Sequence, residues 1–362
     1  MDRIAGLTAL GLTLALGAGC GGGGDSGGAS DFVNTNDPNS CLIPQSELIS
    51  GGPGRDGIPA LTNPVFVTAS DGDTFLAPGA LVLGVVEGGE ARAYPHNVLW
   101  YHEIINDQLG GVPITVSYCP LTGSGMVYEP RIGGQTLDFG VSGLLFDNNL
   151  VLFDRSTDSL WSQMRVQSVC GSLRGTEPAL KPVVQSTWAA WKALHPDTTV
   201  VSFTTGFSRN YGQYPYGAYD QLGNNELLFP QSAIDPRRPM KELVIGVIEG
   251  GLTRAYPYGE LGQRSAVNDV VGGRPVVIVY DAEAQMALAF DRRAGGETLT
   301  FEVAGSGFPF TLRDVETGSE WTLDGLAVGG PLSGSRISQV ATYSAMWFAW
   351  AAFNDNTELF TG

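Results

Sequence analysis

The sequence predicts a β-rich α+β fold in which two pseudo-symmetric copies of one sheet-plus-helix repeat pack together. Three observations predict it. Leu81–Pro95 reads LVLGVVEGGEARAYP and Leu243–Pro257 reads LVIGVIEGGLTRAYP, identical at 11 of 15 positions, and a match of that length marks a duplicated unit. Short runs rich in β-branched residues alternate with Gly-Gly, Asn-Asp and Asp-Arg pairs, the pattern of strands joined by tight turns. Finally, 50 glycines, 10 % aromatic and only 16 % charged residues describe a turn-rich folded chain, since disorder calls for more charge and fewer aromatics.

The chain opens with a leader. Arg3 supplies a positive start, Ile4 to Ala18 carry no charge, and small residues run into Cys20. That apolar core is shorter than the roughly 20 residues of a permanent membrane helix. Leu16-Gly-Ala-Gly-Cys20 resembles the lipobox of bacterial lipoproteins, with Gly17 where leucine is usual, which implies lipidation at Cys20 after removal of residues 1–20. Residues 21–40 begin as an almost pure Gly/Ser/Asp tract, the composition of a flexible tether. Gly21 rather than Asp follows the cysteine. By the same resemblance, the expected address is the cell envelope, anchored to a membrane by lipid. In a Gram-negative cell this would be the periplasmic side of the outer membrane.

The net charge of −17, from 20 Lys+Arg against 37 Asp+Glu, argues against nucleic acid, because phosphate binding needs clustered cations. With Cys20 lipidated, Cys41, Cys119 and Cys170 remain, and in an oxidising envelope two could pair and leave one free. No CxxC or HxxxH spacing occurs.

The repeat continues at a constant offset. Asn106-Asp107 with Gly110-Gly111 corresponds to Asn268-Asp269 with Gly272-Gly273, and Pro113–Tyr118 to Pro275–Tyr280. After a two-residue slip Thr157–Trp161 corresponds to Thr317–Trp321, and after one more Trp188 and Trp191 to Trp347 and Trp350. The expected organisation is a lead-in and first copy over 41–204, an ordered connector over 205–241 dense in Tyr, Gly, Pro and Arg, and a degenerate second copy over 242–362. Within the first copy we expect an apolar strand with a Glu-Gly-Gly turn, a helical stretch from His96 to Ile105, a series of hairpins, and a closing helix. That helix is capped by Ser186, pinned by Trp188 and Trp191, and stopped by Pro196.

A duplicated chain carries its own control. Arg92-Ala-Tyr94-Pro95 and the Asn-Asp pair recur in both copies and read as structural. The differences are His102 against Arg264, Glu103 against Ser265, Cys119 against Asp281, Ser124 against Met286, and Met164 against Asp324. Period-two alternation puts Thr115, Ser117 and Cys119 on one strand face, where the second copy has Val277, Val279 and Asp281. A polar face ending in a thiol, followed by Pro120-Leu-Thr-Gly-Ser124, marks a candidate site that includes Ser117 and Ser124. Three readings stand side by side. Cys119 is a buried or paired cysteine beside an unrelated histidine; or Cys119, His102 and Met164 bind copper or zinc, softness favouring Cu(I) if the thioether takes part; or Cys119 is a nucleophile activated by His102, with Glu103 orienting or relaying protons. A carbohydrate- or peptide-binding surface that uses none of them is a further alternative.

Several motifs then act together: Gly51-Gly-Pro-Gly-Arg-Asp56-Gly-Ile-Pro59, Trp100-Tyr-His-Glu-Ile-Ile-Asn-Asp107, Tyr118-Cys-Pro-Leu-Thr-Gly-Ser124, Leu152-Phe-Asp-Arg-Ser-Thr-Asp-Ser-Leu-Trp-Ser-Gln163 and Phe207-Ser-Arg-Asn-Tyr-Gly-Gln-Tyr-Pro-Tyr216. From about Cys41 onward the chain resembles the bacterial and archaeal family called domain of unknown function 3179. The resemblance implies no activity. Many members have Cys-Pro-Leu-Cys-Gly where this chain has Cys119-Pro-Leu-Thr122-Gly, which counts against a dithiol redox role and leaves a single-thiol role open. Cys41 and Cys170 fall outside the family motifs, so the resemblance favours a disulfide between them and a free Cys119. The functional expectation is an envelope lipoprotein that binds a small molecule or handles a metal through the first copy, with a thiol-dependent enzyme or a structural, protein-binding role as alternatives.

Overall fold

The computed structural model describes residues 41–362; the leader, Cys20 and the tether over 21–40 lie outside them. The described chain is β-rich, with several sheets and few helices. Strand Leu81–Glu87 folds back on Glu90–Pro95 with Val82 opposite Pro95 and Glu87 opposite Glu90. Leu243–Glu249 pairs with Leu252–Pro257 in the same register, Val244 opposite Pro257 and Glu249 opposite Leu252. Each hairpin is extended on one side by an antiparallel strand that leads into a closing helix (Val184–Thr187 and Tyr343–Met346) and on the other by a short parallel strand (Thr199–Val201 and Glu358–Leu359).

The next strands form two further sheets. Ile104–Leu109, Val112–Cys119 and Ser124–Tyr128 run antiparallel in order, as do Arg264–Val271, Arg274–Asp281 and Met286–Asp291. Asn106 and Asp107 lie within a strand, not in a turn as the sequence suggested; the turn is Gly110-Gly111, with φ of 55° and 78°. Their side chains explain why both recur. Asn106 Nδ2 donates to Phe139 O at 2.8 Å and its Oδ1 accepts from Phe139 N at 3.0 Å, tying this sheet to the next. Asn268 holds Phe301 at 2.8 Å in both directions. Asp107 accepts from Arg92 (2.7 Å) and Tyr94 (2.6 Å), and Asp269 accepts from Arg254 (2.6 Å) and Tyr256 (2.7 Å).

The closing helices are Trp188–Leu194 and Trp347–Phe353. Thr187, not Ser186, caps the first: Ser186 belongs to the incoming strand, and Thr187 Oγ1 accepts from Ala190 N at 3.3 Å. All four tryptophans are fully buried. Their indoles press so closely on the first hairpin strands that a Cβ on Gly84 would sit 2.3 Å from Trp191, and one on Gly246 would sit 1.9 Å from Trp350, so only glycine fits. Each helix start also reaches into the opposite half of the chain, Thr187 N donating to Ala284 O at 2.8 Å and Met346 N to Thr122 O at 2.7 Å. A disulfide joins Cys41 to Cys170 and fastens the lead-in to the Gln167–Cys170 strand. No helix among the described residues is long and apolar enough to cross a membrane.

Candidate functional site

The polar face of Val112–Cys119 is entirely buried, and its alternation is as the sequence implies: Ile114, Val116 and Tyr118 enter one apolar cluster. On the other face lies a closed hydrogen-bond network. Gln163 Nε2 donates to Ser117 Oγ at 2.7 Å, and Ser124 Oγ donates to Gln163 Oε1 at 2.7 Å. Asn149 Nδ2 lies 3.0 Å from Thr122 Oγ1, 3.2 Å from Ser124 Oγ and 2.7 Å from Gln163 Oε1. Ser117 and Ser124 are therefore consumed by one another's partners and present no free hydroxyl. The corresponding positions of the second half, Val279, Met286 and Leu323, share one apolar cluster.

The three side chains expected to form a metal site are not brought together. Met164 packs with Val244, Tyr343 and Trp347, whereas Cys119 packs with Ile104, Leu121, Phe139 and Tyr219. Both ring nitrogens of His102 are engaged: Nδ1 with Pro59 O at 2.7 Å, Nε2 with Tyr211 Oη at 2.6 Å. A carbonyl can only accept, so Nδ1 carries the proton and Nε2 of the neutral ring accepts from the Tyr211 hydroxyl. Burial lowers the pKa of His102, which keeps it neutral. His102 is a clasp that binds the lead-in and the connector to the first half. Among the described residues no group of three or more His, Cys, Asp and Glu side chains is placed to hold a metal ion.

The nucleophile reading fails on the same geometry. Cys119 is 1 % exposed, and its sulfur lies 3.7 Å from Asn148 O. Burial pushes the thiol up to about 11, and the nearby Glu103 charge adds to the rise. A nucleophilic cysteine needs the opposite shift.

Glu103 emerges as the unusual residue. The helix His96–His102 stops three residues short of Ile105 because Glu103 takes φ +56°, ψ −31°, a left-handed backbone that costs a non-glycine residue about 1–3 kcal/mol. The strand therefore begins at Ile104, whereas its counterpart in the second half begins at Arg264 and is in register with Asp281 from its first residue. The two residues that face each other there, Arg264 and Asp281, form an ion pair at 2.7 Å; His102 and Cys119, their counterparts, are turned to separate partners. Glu103 is buried, and no hydrogen bond joins its carboxyl to another described residue. Desolvation raises it to about 8.

The connector closes over this place. Tyr214 Oη donates to Pro120 O at 3.1 Å and its ring meets Trp100 edge-on at 5.2 Å. Asn148 Nδ2 donates to Phe229 O at 3.1 Å, Pro230 O at 3.0 Å and Gln231 Oε1 at 2.8 Å. Tyr219 joins the apolar cluster around Cys119, and Tyr216 lies within electrostatic reach of both Glu103 and Cys119, which with burial pushes its hydroxyl up. At the end of the connector Lys241, 3 % exposed, places its ammonium 3.2 Å from the Tyr219 ring centre and 4.7 Å from that of Phe348. Neither Lys241 Nζ nor Tyr219 Oη has a hydrogen-bond partner in the structure. Desolvation lowers Lys241 to about 7 against the opposing pull of Asp220; the two ring faces also favour the charged form.

The second half shows what the connector fills. There a cleft of about 540 Å³ is lined by Gly79, Ala189, Arg264, Asp281, Glu283 and Phe308 among others. The residues corresponding in the sequence repeat to Gly79, Ala189 and Glu283 are Lys241, Phe348 and Leu121, so the first half packs large side chains where the second leaves space. Sequence reasoning missed Lys241 and Tyr219; the available signal was a lysine at a position held by glycine, Gly79, in the other copy.

No curated protein and no solved structure matches the chain. The model of the family described as "Protein of unknown function (DUF3179)" matches residues 55–357, and the chain belongs to that family.

Proposed function

We propose that this protein is a lipid-anchored lipoprotein of the cell envelope that binds a small polar molecule in its first half, where the connector side chains Tyr216, Tyr219 and Lys241 pack over Glu103 and Cys119 and would move aside to admit it. The observation that carries the reading is that Lys241 Nζ and Tyr219 Oη are buried without partners beside the cluster around Cys119, next to a buried Glu103. A carboxyl, a phenol and an amine lie in or beside one cluster, and such groups are retained where a ligand, ion or water completes them. A ligand with acceptor atoms for Lys241 and Tyr219 and a polar group for Glu103 would satisfy all three. The left-handed Glu103 supports the same place, since backbone strain clusters at binding sites.

The envelope address rests on the leader, Cys20 and the Gly/Ser tether, and the Cys41–Cys170 disulfide supports an oxidising compartment. The membrane would be met through lipid on Cys20. Neither an activated thiol nor a metal centre is needed. Native mass spectrometry of the full chain, released from envelope membranes in mild detergent, tests the reading. It should show a stoichiometric small-molecule adduct on the wild-type protein that is lost in Glu103→Gln and in Lys241→Met, with both variants folded. A wild-type protein free of any adduct, or an adduct kept by both variants, sinks it.

A further inference from the structure

A second cleft, independent of the connector, lies between the end of the Trp188–Leu194 helix and the second half. Its volume is about 670 Å³, inside the roughly 300–1,000 Å³ range of small-molecule sites. One wall is apolar, formed by Val86, Val184, Leu194, Leu288 and Phe310; the other carries His195, Asp324, Arg336 and Gln339.

The polar groups are arranged as a charge pair with a free side. Arg336 Nη1 lies 3.6 Å from Asp324 Oδ2, and both side chains are about half exposed, at 59 % and 49 %. Thr322 Oγ1 donates to Asp324 Oδ1, and both residues line the cleft. The His195 ring lies against Trp191, tilted by 47° with ring centres 4.2 Å apart, and neither of its nitrogens has a hydrogen-bond partner among the described residues.

The corresponding cleft of the other half, about 540 Å³, is lined by Gly246, Ile248, Phe353, Asn354, Met164 and Arg165 among others. There the counterpart of His195 is used up, because Asn354 Nδ2 donates to Trp350 O at 3.0 Å. The counterpart of Asp324 is the buried Met164, and Arg165 lies over the Phe146 ring at 5.1 Å. One cleft has buried its polar groups or tied them to the fold; the other keeps a half-exposed Asp324–Arg336 pair and a His195 ring with no hydrogen-bond partner among the described residues.

We propose that the His195–Asp324–Arg336 cleft binds a small zwitterion, a free α-amino acid with an apolar side chain. Its carboxylate meets Arg336 and the His195 ring, its ammonium meets Asp324, and its side chain lies against Leu194 and Phe310. A lone anion would face Asp324 and a lone cation Arg336; a zwitterion complements both.

Isothermal titration of the full chain with L-phenylalanine and L-leucine tests this, with N-acetyl-L-phenylalanine and L-phenylalaninamide as analogues lacking one charge each. The expected result is saturable one-to-one binding of the amino acids and at least tenfold weaker binding of each analogue. Asp324→Asn should weaken the amino acids tenfold or more while sparing the acetylated analogue, and Arg336→Gln should do the same while sparing the amide. Both positions are at the surface, so melting temperatures should not move. No saturable heat for either amino acid, analogues that bind as tightly as the parent, or variants that change nothing would each overturn the proposal.

Discussion

The two halves of this chain share their hairpins, closing helices and pinning tryptophans, yet treat one sheet face in opposite ways. Val277, Val279, Met286 and Leu323 give the second half an apolar interior. The first half buries Thr115, Ser117, Ser124 and Gln163 at the corresponding positions; Gln163 bonds both serines, and Thr115 donates to Asn106. Beyond that network the contrast sharpens. The second half closes its strand edge with the Arg264–Asp281 ion pair and leaves a cleft. In the first, the edge residue Glu103 is flipped to a left-handed conformation and the space is filled with connector side chains. The fold tolerates either solution, and the first half carries the costlier one.

The comparison can be broken in order of effect. The largest effect should be the same in both halves, because it touches what they share. Gly84→Ala and Gly246→Ala drive a methyl into Trp191 and Trp350, and each should cost about 3 kcal/mol or more in denaturant unfolding. A loss under about 1 kcal/mol at either position would show that the tryptophans can move aside.

Next comes the network. Gln163→Leu copies the second half's residue into the first, leaves Ser117 without its partner and takes one partner each from Ser124 and Asn149, so stability should fall by about 2–4 kcal/mol. If the variant is as stable as the parent, the polar face is not a closed network. Smaller still is the effect of opening the clasp. His102→Phe removes the bonds to Pro59 and Tyr211 and should expose residues 205–241 to limited proteolysis before the rest of the chain unfolds. Cleavage there at the wild-type rate would show that the connector does not depend on His102.

Much of this was legible in the sequence. The repeat aligned the hairpins, the Arg–Tyr–Asp pins and the tryptophans, because those contacts run between residues whose types are the same in both copies. Alternation also gave the polar face of Val112–Cys119. What it could not give were partners set by distant chain segments: His102 meets Pro59 and Tyr211, 43 and 109 positions away, and pairing it with Cys119 was reasonable only by analogy with the facing positions of the other half. The backbone flip at Glu103 was equally hidden, since a single glutamate carries no turn signal, and it moved the end of the helix from Ile105 to His102. Lys241 and the connector tyrosines act by filling a space whose existence only the second half reveals.

The contrast between the halves rests most heavily on Glu103, a buried acid held near 8 where the second half has Ser265. Its neutral form is favoured in the fold, so its contribution to stability is fully present below the unfolded value of about 4.5 and is lost as pH rises through about 8. The direct measurement is a carbon-13 NMR titration of side-chain-labelled glutamate, with Glu103 assigned by its absence in Glu103→Gln. A midpoint near 8 that falls when ligand is bound is the predicted result. A midpoint near 4, with the carboxylate ionised throughout the neutral range, would mean that Glu103 is solvated or paired and that the first half holds no unsatisfied site.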